Sequence, residues 1–138
     1  AYLSTQGPNA VNARDRIGAG PWHNAQGALV GQNIDEMHSM GHRFTSTTVL
    51  DEQGRMIPWG AFSPNRHDIL TGSQLDGTAF PAGDDMTCGN WSSSSAGKAK
   101  VGHHDRAAWN SAHDSRGCSQ EQLRASGGDG LFYCFAAN

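Results

Sequence analysis

The chain contains few of the side chains from which hydrophobic cores are usually built. Leu, Ile, Val and Phe together supply only 20 of its 138 residues, whereas glycine alone supplies 18. Such a composition combined with a high net charge would predict disorder. Here the formal net charge is only −3, and four Trp and two Tyr add large side chains that can be buried. We therefore expect one folded domain over residues 1–138, with a modest core and many loops.

Charge and hydropathy argue against two classes of function. No apolar run approaches the ~20 residues that cross a bilayer, so we expect no transmembrane segment. The near-neutral charge argues against general nucleic-acid binding, which needs a strong basic field. The sequence has no basic segment followed by an apolar segment, which is the pattern of a signal peptide. It begins at Ala1 without Met. That start is expected of a processed secreted chain, or of a trimmed one.

Local patterns predict short helices followed by short strands. Helices are expected over 9–17 and 33–40, each with Asn at the N-cap and Gly after its end. An edge strand is expected over 1–5, a hairpin over 44–57 around a turn at 51–54, and a further strand over 68–72. Helices followed by strands indicate the α+β class.

Two C-terminal segments receive opposite interpretations. Residues 83–117 are long, polar and rich in Gly and Ser, which predicts a functional or mobile loop. Residues 131–135 (LFYCF) predict a buried strand. Alternation places Leu131 and Tyr133 on one face and Phe132 and Cys134 on the other. Because both faces are apolar, we expect a central strand.

The three cysteines are Cys88, Cys118 and Cys134. None forms a CxxC pair, and no His stands at zinc-finger spacing, so a structural zinc finger is not expected. An odd count favours one disulfide and one buried thiol.

Several short motifs follow one another in an order that can be compared with a known fold. They are Tyr2-Leu3-Ser4, Ala13-Arg14-Asp15-Arg16, Asp68-Ile69-Leu70-Thr71-Gly72-Ser73 with Asp76-Gly77, Cys88-Gly89-Asn90-Trp91, Trp109-Asn110 and Leu131-Phe132-Tyr133-Cys134. Their order and spacing resemble the C-type lectin-like fold, most closely its endostatin branch, the C-terminal domain of certain collagens. The resemblance implies a secreted member, of bacterial type, with a twisted, mostly antiparallel sheet and two short helices.

The resemblance also implies specific pairings. The terminal strands should pair, and Cys88 should form a disulfide with Cys118. No cysteine precedes Cys88, so the second disulfide of the family is absent and Cys134 should be a free thiol in the core. The loop of about 31 residues that the Cys88–Cys118 disulfide would close stabilises the fold by roughly 3–4 kcal/mol on the chain-entropy model. Trp91 and Trp109 match core positions, which leaves Trp22 and Trp59 as candidate surface aromatics.

Histidine is abundant, and several histidines stand beside aspartate. Two adjacent imidazoles and a carboxylate occur at His103-His104-Asp105, and such groups are good ligands for zinc or copper. Neighbouring side chains on an extended loop point apart, so not all three can converge. His67, His104 and His113 are the candidate ligands of a catalytic zinc ion. The alternative is loop histidines that bond backbone groups, and no HExxH spacing supports a metalloenzyme.

Calcium and nucleophile chemistry find less support. The calcium- and sugar-binding triplets of C-type lectins are broken here, at Pro64-Asn65 and at Trp109-Asn110-Ser111, so we expect no calcium-dependent sugar binding through them. The serine run at 92–95 lacks a GxSxG frame. We expect no required cofactor, with calcium and zinc as the alternatives.

The resemblance therefore implies a binding module and not an enzyme. We expect a secreted, periplasmic or cell-surface module that recognises a protein partner or an extracellular glycan, with its oligomeric state open. Its alternatives are a structural subunit of a cell-surface assembly and a metal-dependent hydrolase that uses the loop histidines. A basic and histidine-rich patch near the long loop is the expected binding surface, with Arg106 as its anchor. The patch consists of His67, Lys98, Lys100, His103, His104, Asp105 and Arg106.

Overall fold

The computed structural model describes residues 1–137 and shows an α+β chain of short elements. Its helices are α1 (Ile34–Met37), α2 (Cys88–Trp91) and α3 (Gln120–Ser126), with a 3-10 turn at Ala13–Arg16. Its strands are β1 (Trp22–His23), β2 (Leu29–Gly31), β3 (Asp68–Leu70), β4 (Lys100–His103), β5 (His113–Asp114) and β6 (Gly128–Phe132).

The main sheet has four strands in the order β5-β4-β3-β6. Strand β4 runs antiparallel to both β3 and β5, whereas β3 and β6 are parallel, so the sheet is mixed. Strands β1 and β2 form a separate antiparallel pair. The amide of Tyr2 donates to the carbonyl of Tyr133 at 2.9 Å, so the two terminal segments lie side by side.

Aromatic rings replace the missing aliphatic side chains in the core. Trp109 is 1% exposed, stacks on Phe44 with ring centroids 4.1 Å apart, and meets Tyr2 and Tyr133 at 4.9 and 5.3 Å. Its indole Nε1 donates to the carbonyl of Met37 at 2.7 Å. Buried aromatics with paired polar atoms combine large apolar area with fixed orientation.

Two tryptophans differ from expectation. Trp22, expected at the surface, is only 4% exposed, and its Nε1 donates to the carbonyl of Ile17 at 3.1 Å. Trp91, expected in the core, is half-buried and packs beside the Cys88–Cys118 disulfide. Trp59 is half-buried, next to the ring of Phe62.

Of the two predicted helices, one forms as a shorter helix and the other as a 3-10 turn, and a third helix is additional. Helix α1 begins after Asn33, whose Oδ1 accepts from the Glu36 amide at 2.9 Å, but it ends at Met37. The helix predicted over 9–17 is only a 3-10 turn at Ala13–Arg16. Helix α3 was not predicted. Its capping box joins Ser119 and Gln122, and Gly127 ends it with φ 109°.

The strand predictions over 1–5 and 44–57 reduce to single bridges. Thr5 pairs with Val11 and Leu50 with Met56, each as an isolated β-bridge, outside any strand. The turn at 51–54 is formed: the Gly54 amide donates to the carbonyl of Asp51 at 2.9 Å.

The prediction of a long irregular loop over 83–117 is wrong. This segment contains α2 and β5 and the inner strand β4. The buried residues here are Ala99, Val101 and Gly102. Two of the three are small residues that do not favour strands, so the sequence gives little sign of β4. A Cβ on Gly102 would overlap the backbone of Trp109, so close packing and not β-propensity places this strand.

The prediction of a central buried strand over 131–135 is also wrong. The strand ends at Phe132 and lies at the edge of the main sheet. Phe132 is 51% exposed, Leu131 is half-buried and only Tyr133 is fully buried. Cys134 is a free thiol, but it is exposed and not in the core. Alternation continues beyond the strand, with Leu131, Tyr133 and Phe135 on the covered face and Phe132 and Cys134 on the face that is open to solvent.

The Cys88–Cys118 disulfide is present, with the two Cα atoms 5.7 Å apart. It joins α2 to the segment that precedes α3 and packs against Ala99, the residue before β4. The long segment is thus fixed at both ends. Within residues 1–137, no helix has the length and apolar character that crossing a membrane requires.

Candidate functional site

Three neighbouring strands bring a group of polar side chains to one end of the main sheet. Asp68 of β3 pairs directly with His103 of β4, and His113 of β5 pairs with Val101, two residues before His103. Paired residues project to the same face of a sheet, so Asp68, His103 and His113 share that face. His67 stands immediately before β3. We call His67, Asp68, His103 and His113 the His–Asp cluster.

Three imidazole nitrogens surround the carboxylate of Asp68. The Nε2 atoms of His67 and His103 lie 3.3 and 3.1 Å from its Oδ1, and the Nε2 of His113 lies 3.4 Å from its Oδ2. The Asp68 side chain is only 2% exposed, whereas the His113 side chain is 43% exposed. The cluster is therefore closed at Asp68 and open to solvent at His113.

The close contacts in the cluster are not hydrogen bonds. Among the described residues, neither carboxylate oxygen of Asp68 has a hydrogen-bond partner, and the buried Nε2 of His103 has none. The rings of His67 and His103 stack instead, with centroids 4.3 Å apart and planes 11° from parallel. A buried carboxylate without hydrogen bonds is costly unless a cation balances it.

A second carboxylate fixes the orientation of His67. The Nδ1 of His67 donates to Asp105 Oδ1 at 3.0 Å, and Asp105 also accepts from Arg106 Nε at 3.2 Å. Burial raises the pKa of Asp105, but the adjacent His67 and these hydrogen bonds outweigh burial and hold the pKa below its ordinary value. Asp105 is thus an ionised acceptor that leaves the Nε2 of His67 facing Asp68.

His113 is oriented in a similar way. Its Nδ1 lies 2.9 Å from the backbone carbonyl of Asp114, which can only accept. The proton of the neutral ring is therefore on Nδ1, and the Nε2 lone pair faces Asp68. His67 and His113 thus present the same nitrogen atom to one buried carboxylate.

His104 does not join the cluster. Its side chain is completely buried, and neither ring nitrogen has a hydrogen-bond partner in the described part of the chain. Burial lowers the pKa of His104 below its ordinary value, so the ring is neutral. Adjacent residues of an extended segment point to opposite sides, and here His103 and not His104 reaches the carboxylate. The structure therefore brings together His67 and His113 of the proposed zinc set, but without His104.

The expected basic patch divides into two parts. Arg106 is 64% exposed beside the cluster. Lys98 and Lys100 both contact the carboxylate of Asp114, with Lys98 Nζ at 2.7 Å from Oδ2. The single carboxylate of Asp114 therefore balances only one of the two lysine charges.

Asn65 and Asn110, which stand in the broken calcium-binding triplets, lie in different surroundings. Asn110 is 1% exposed, and its Nδ2 donates to the hydroxyl of Tyr2 and to the carbonyl of Gln74, both at 2.9 Å. These bonds fix Asn110 in the core. Asn65 lines a shallow pocket beside Arg66 and Arg124 instead.

An apolar cleft of about 440 Å³ lies on another part of the surface. Its lining includes Trp22, Phe44, Ile57, Tyr133 and Cys134. The cleft lies beside the core, and the exposed thiol of Cys134 borders it.

Sequence reasoning missed Asp68 and the place of His103 beside it. The signal was present, because His67-Asp68 and His113-Asp114 repeat one dipeptide, but strand register was needed to align them.

Comparisons of the chain with known protein families, with curated proteins and with solved structures found no match.

Proposed function

We propose that the chain is a non-enzymatic extracellular or periplasmic binding module, with a C-type lectin-like fold of endostatin type, that recognises a protein partner or a surface glycan through acidic groups of that ligand. Two observations support the fold and the compartment. The terminal segments lie side by side at Tyr2 and Tyr133, and the Cys88–Cys118 disulfide is of a kind that persists in oxidising compartments.

The exposed guanidinium of Arg106 carries the proposal. Its side chain is 64% exposed, and in the described residues only its Nε has a hydrogen-bond partner, Asp105. The two terminal nitrogens offer a bidentate contact for a carboxylate or a sulfate group. Lys98 and Lys100 add one net positive charge to this surface, because Asp114 balances only one of the two.

The backbone around Arg106 is held in place, which favours recognition over a flexible linker. The Arg106 amide donates to the carbonyl of His103 at 3.1 Å, and the His104 amide donates to that of His67 at 3.2 Å. The loop is thus anchored to both β3 and β4. Recognition residues commonly stand on loops that a rigid scaffold presents.

The test is surface plasmon resonance with two sets of immobilised probes, sulfated heparan fragments and acidic peptides, and with Arg106→Ala as the variant. We expect wild-type binding to one set, weakened by about 1–3 kcal/mol in Arg106→Ala, as for an interface anchor. Arg116→Ala is the matched control, because Arg116 is also an exposed arginine but lies outside the cluster. Equal weakening by both variants, or binding to neither probe set, would contradict the proposal.

A metal-dependent hydrolase is the second candidate, and one observation favours it. Three imidazole nitrogens meet beside a buried carboxylate, with His113 open to solvent. Hydrolytic zinc sites combine such ligands with one exchangeable position. Turnover of activated ester or phosphodiester substrates by zinc-loaded protein, lost in His103→Gln, would favour the hydrolase over the binding module.

A further inference from the structure

We propose that the His–Asp cluster is a binding site for a divalent transition-metal ion, zinc in the first place, with His67, Asp68 and His103 as its ligands and His113 beside them on the solvent side. The proposal goes beyond the proposed recognition function and does not depend on the identity of any partner.

The spacing of the donor atoms suits a small metal ion. One ligand atom each from His67, Asp68 and His103 lies within 4.8 Å of the others. Zinc bonds to nitrogen and oxygen of about 2.0–2.1 Å in a tetrahedron place neighbouring ligands about 3.3 Å apart. Nε2 of His103 and Nε2 of His67 lie 3.1 and 3.3 Å from the same oxygen of Asp68, whereas Nε2 of His113 lies 3.4 Å from the other oxygen.

The orientation of the donors points to a cation between them. Nδ1 of His67 and Nδ1 of His113 each face an acceptor, so in the neutral rings the unprotonated Nε2 atoms lie 3.3 and 3.4 Å from oxygens of Asp68. An unprotonated nitrogen and a carboxylate oxygen repel each other at such a distance unless a cation lies between them. The unpartnered oxygens of Asp68, in a side chain that is 2% exposed, are the independent sign that the cluster holds one.

Protons alone satisfy the cluster less well than a metal ion. Protonated imidazoles would donate from Nε2 to Asp68, but the contacts of His67 and His103 with the carboxylate lack hydrogen-bond geometry. Two protonated rings stacked 4.3 Å apart, as these two are, would also repel each other. One divalent ion balances the carboxylate and accepts all of the lone pairs.

The surroundings provide the support that metal ligands require. Asp105 accepts from Nδ1 of His67, which forms the carboxylate–histidine–metal arrangement that fixes the ring and increases its basicity. The Asp114 carbonyl does the same for His113. The 43% exposure of the His113 side chain gives the ion a path to the buried carboxylate.

The ligand types select the metal. Imidazole nitrogen suits zinc and copper, whereas calcium prefers six or more oxygen ligands. Asp68 supplies the one carboxylate of the cluster, and Asp105 is engaged by His67 and Arg106. We therefore expect zinc binding that a large excess of calcium does not displace.

The test is isothermal titration of chelator-treated protein with zinc chloride. We expect one zinc ion per chain, and cobalt(II) at the same site should give the intense visible absorption of tetrahedral coordination. Asp68→Asn and His103→Gln should weaken zinc binding by about 100-fold or more, because loss of a ligand exceeds the 10–100-fold effect of losing an outer-shell partner. Asp105→Ala should weaken it by about 10–100-fold.

Two further variants keep the test decisive if a buried substitution prevents folding. His113→Gln changes a half-exposed histidine that lies 3.4 Å from Asp68, and it should weaken zinc binding less than His103→Gln does while the circular dichroism spectrum stays unchanged. His23→Gln alters an exposed histidine outside the cluster and should leave the affinity unchanged. Absence of stoichiometric zinc binding, or unchanged affinity in His113→Gln, or an equal loss in His23→Gln, would overturn the proposal.

Discussion

Substitution of Gly102 by alanine tests how the main sheet is packed. A Cβ on Gly102 would lie 1.8 Å from the carbonyl oxygen of Trp109, 2.3 Å from its carbonyl carbon and 2.6 Å from the Cα of Asn110. These are backbone atoms, so no side-chain rotation relieves the overlap. Separating the Cβ from the oxygen to even 3.0 Å requires a movement of at least about 1.2 Å, the difference between these distances.

That movement would disturb the best-anchored part of the core. Trp109 donates from Nε1 to Met37, and Asn110 donates from Nδ2 to Tyr2 and Gln74. Overpacking of a core costs about 1–3 kcal/mol. Loss of one or two buried hydrogen bonds adds about 1 kcal/mol each. We therefore expect Gly102→Ala to lower the free energy of unfolding by about 2–5 kcal/mol, a large part of a typical domain stability of about 5–15 kcal/mol.

The assay is urea unfolding followed by tryptophan fluorescence, with Gly41→Ala as the matched control. At Gly41 the nearest atom to a new Cβ is the Ser39 hydroxyl at 3.5 Å, so the substitution should change stability by less than about 0.5 kcal/mol. A loss below about 1 kcal/mol in Gly102→Ala would refute the close approach of β4 to Trp109. Equal losses in the two variants would show that any added methyl group is harmful, and would equally refute the argument.

Three further predictions concern groups away from the His–Asp cluster. Burial lowers the pKa of His38, whose Nε2 accepts from the Tyr2 hydroxyl at 2.7 Å, so the unfolded chain binds the proton more readily. Stability should therefore fall as the pH is lowered below about 6.5, and urea midpoints between pH 7.5 and 5 should vary less in His38→Gln. Replacing Cys88 and Cys118 together by alanine should cost roughly 3–4 kcal/mol, measured by urea unfolding, since the bond closes a separation of 30 residues. Native protein should react with one equivalent of a thiol reagent, at the exposed Cys134, and peptide mapping that located the label elsewhere would contradict this.

Local sequence signals predicted some elements because their determinants are short-range. Asn33 followed by acidic residues and a later glycine indicated α1, and the Asn33 side chain does cap it. The capping box of Ser119 and Gln122 is an equally local signal for α3, and it directly follows the long polar segment. In both helices a side chain within three residues supplies the bond that starts the helix.

Elements that depend on distant contacts could not be predicted in this way. Gly102 breaks the pattern of a strand, yet β4 forms because Trp109 packs against it. Trp22 stands next to Pro21, which suggested a surface position, but its indole bonds to Ile17 and is buried. Cys134 belongs to an alternating apolar pattern, but the face that it shares with Phe132 is exposed, and the pattern alone does not show which face the fold covers.

The candidate site shows the same limit. The sequence placed His67 and His113 together with His104, whereas strand register places His103 there and aligns it with Asp68. A shift of one residue reverses which side chain faces a site. Chemistry could be predicted from residue type, but the choice between adjacent histidines required the pairing of β3 with β4.

The most direct test of the account is anomalous diffraction at the zinc absorption edge from crystals grown with zinc chloride. We predict one peak of full occupancy about 2.0–2.1 Å from Nε2 of both His67 and His103 and from a carboxylate oxygen of Asp68. Two results would contradict the account. One is zinc found only at other histidines, such as His23 or His42. The other is a zinc-free cluster in these crystals, with hydrogen bonds that join the imidazoles directly to Asp68.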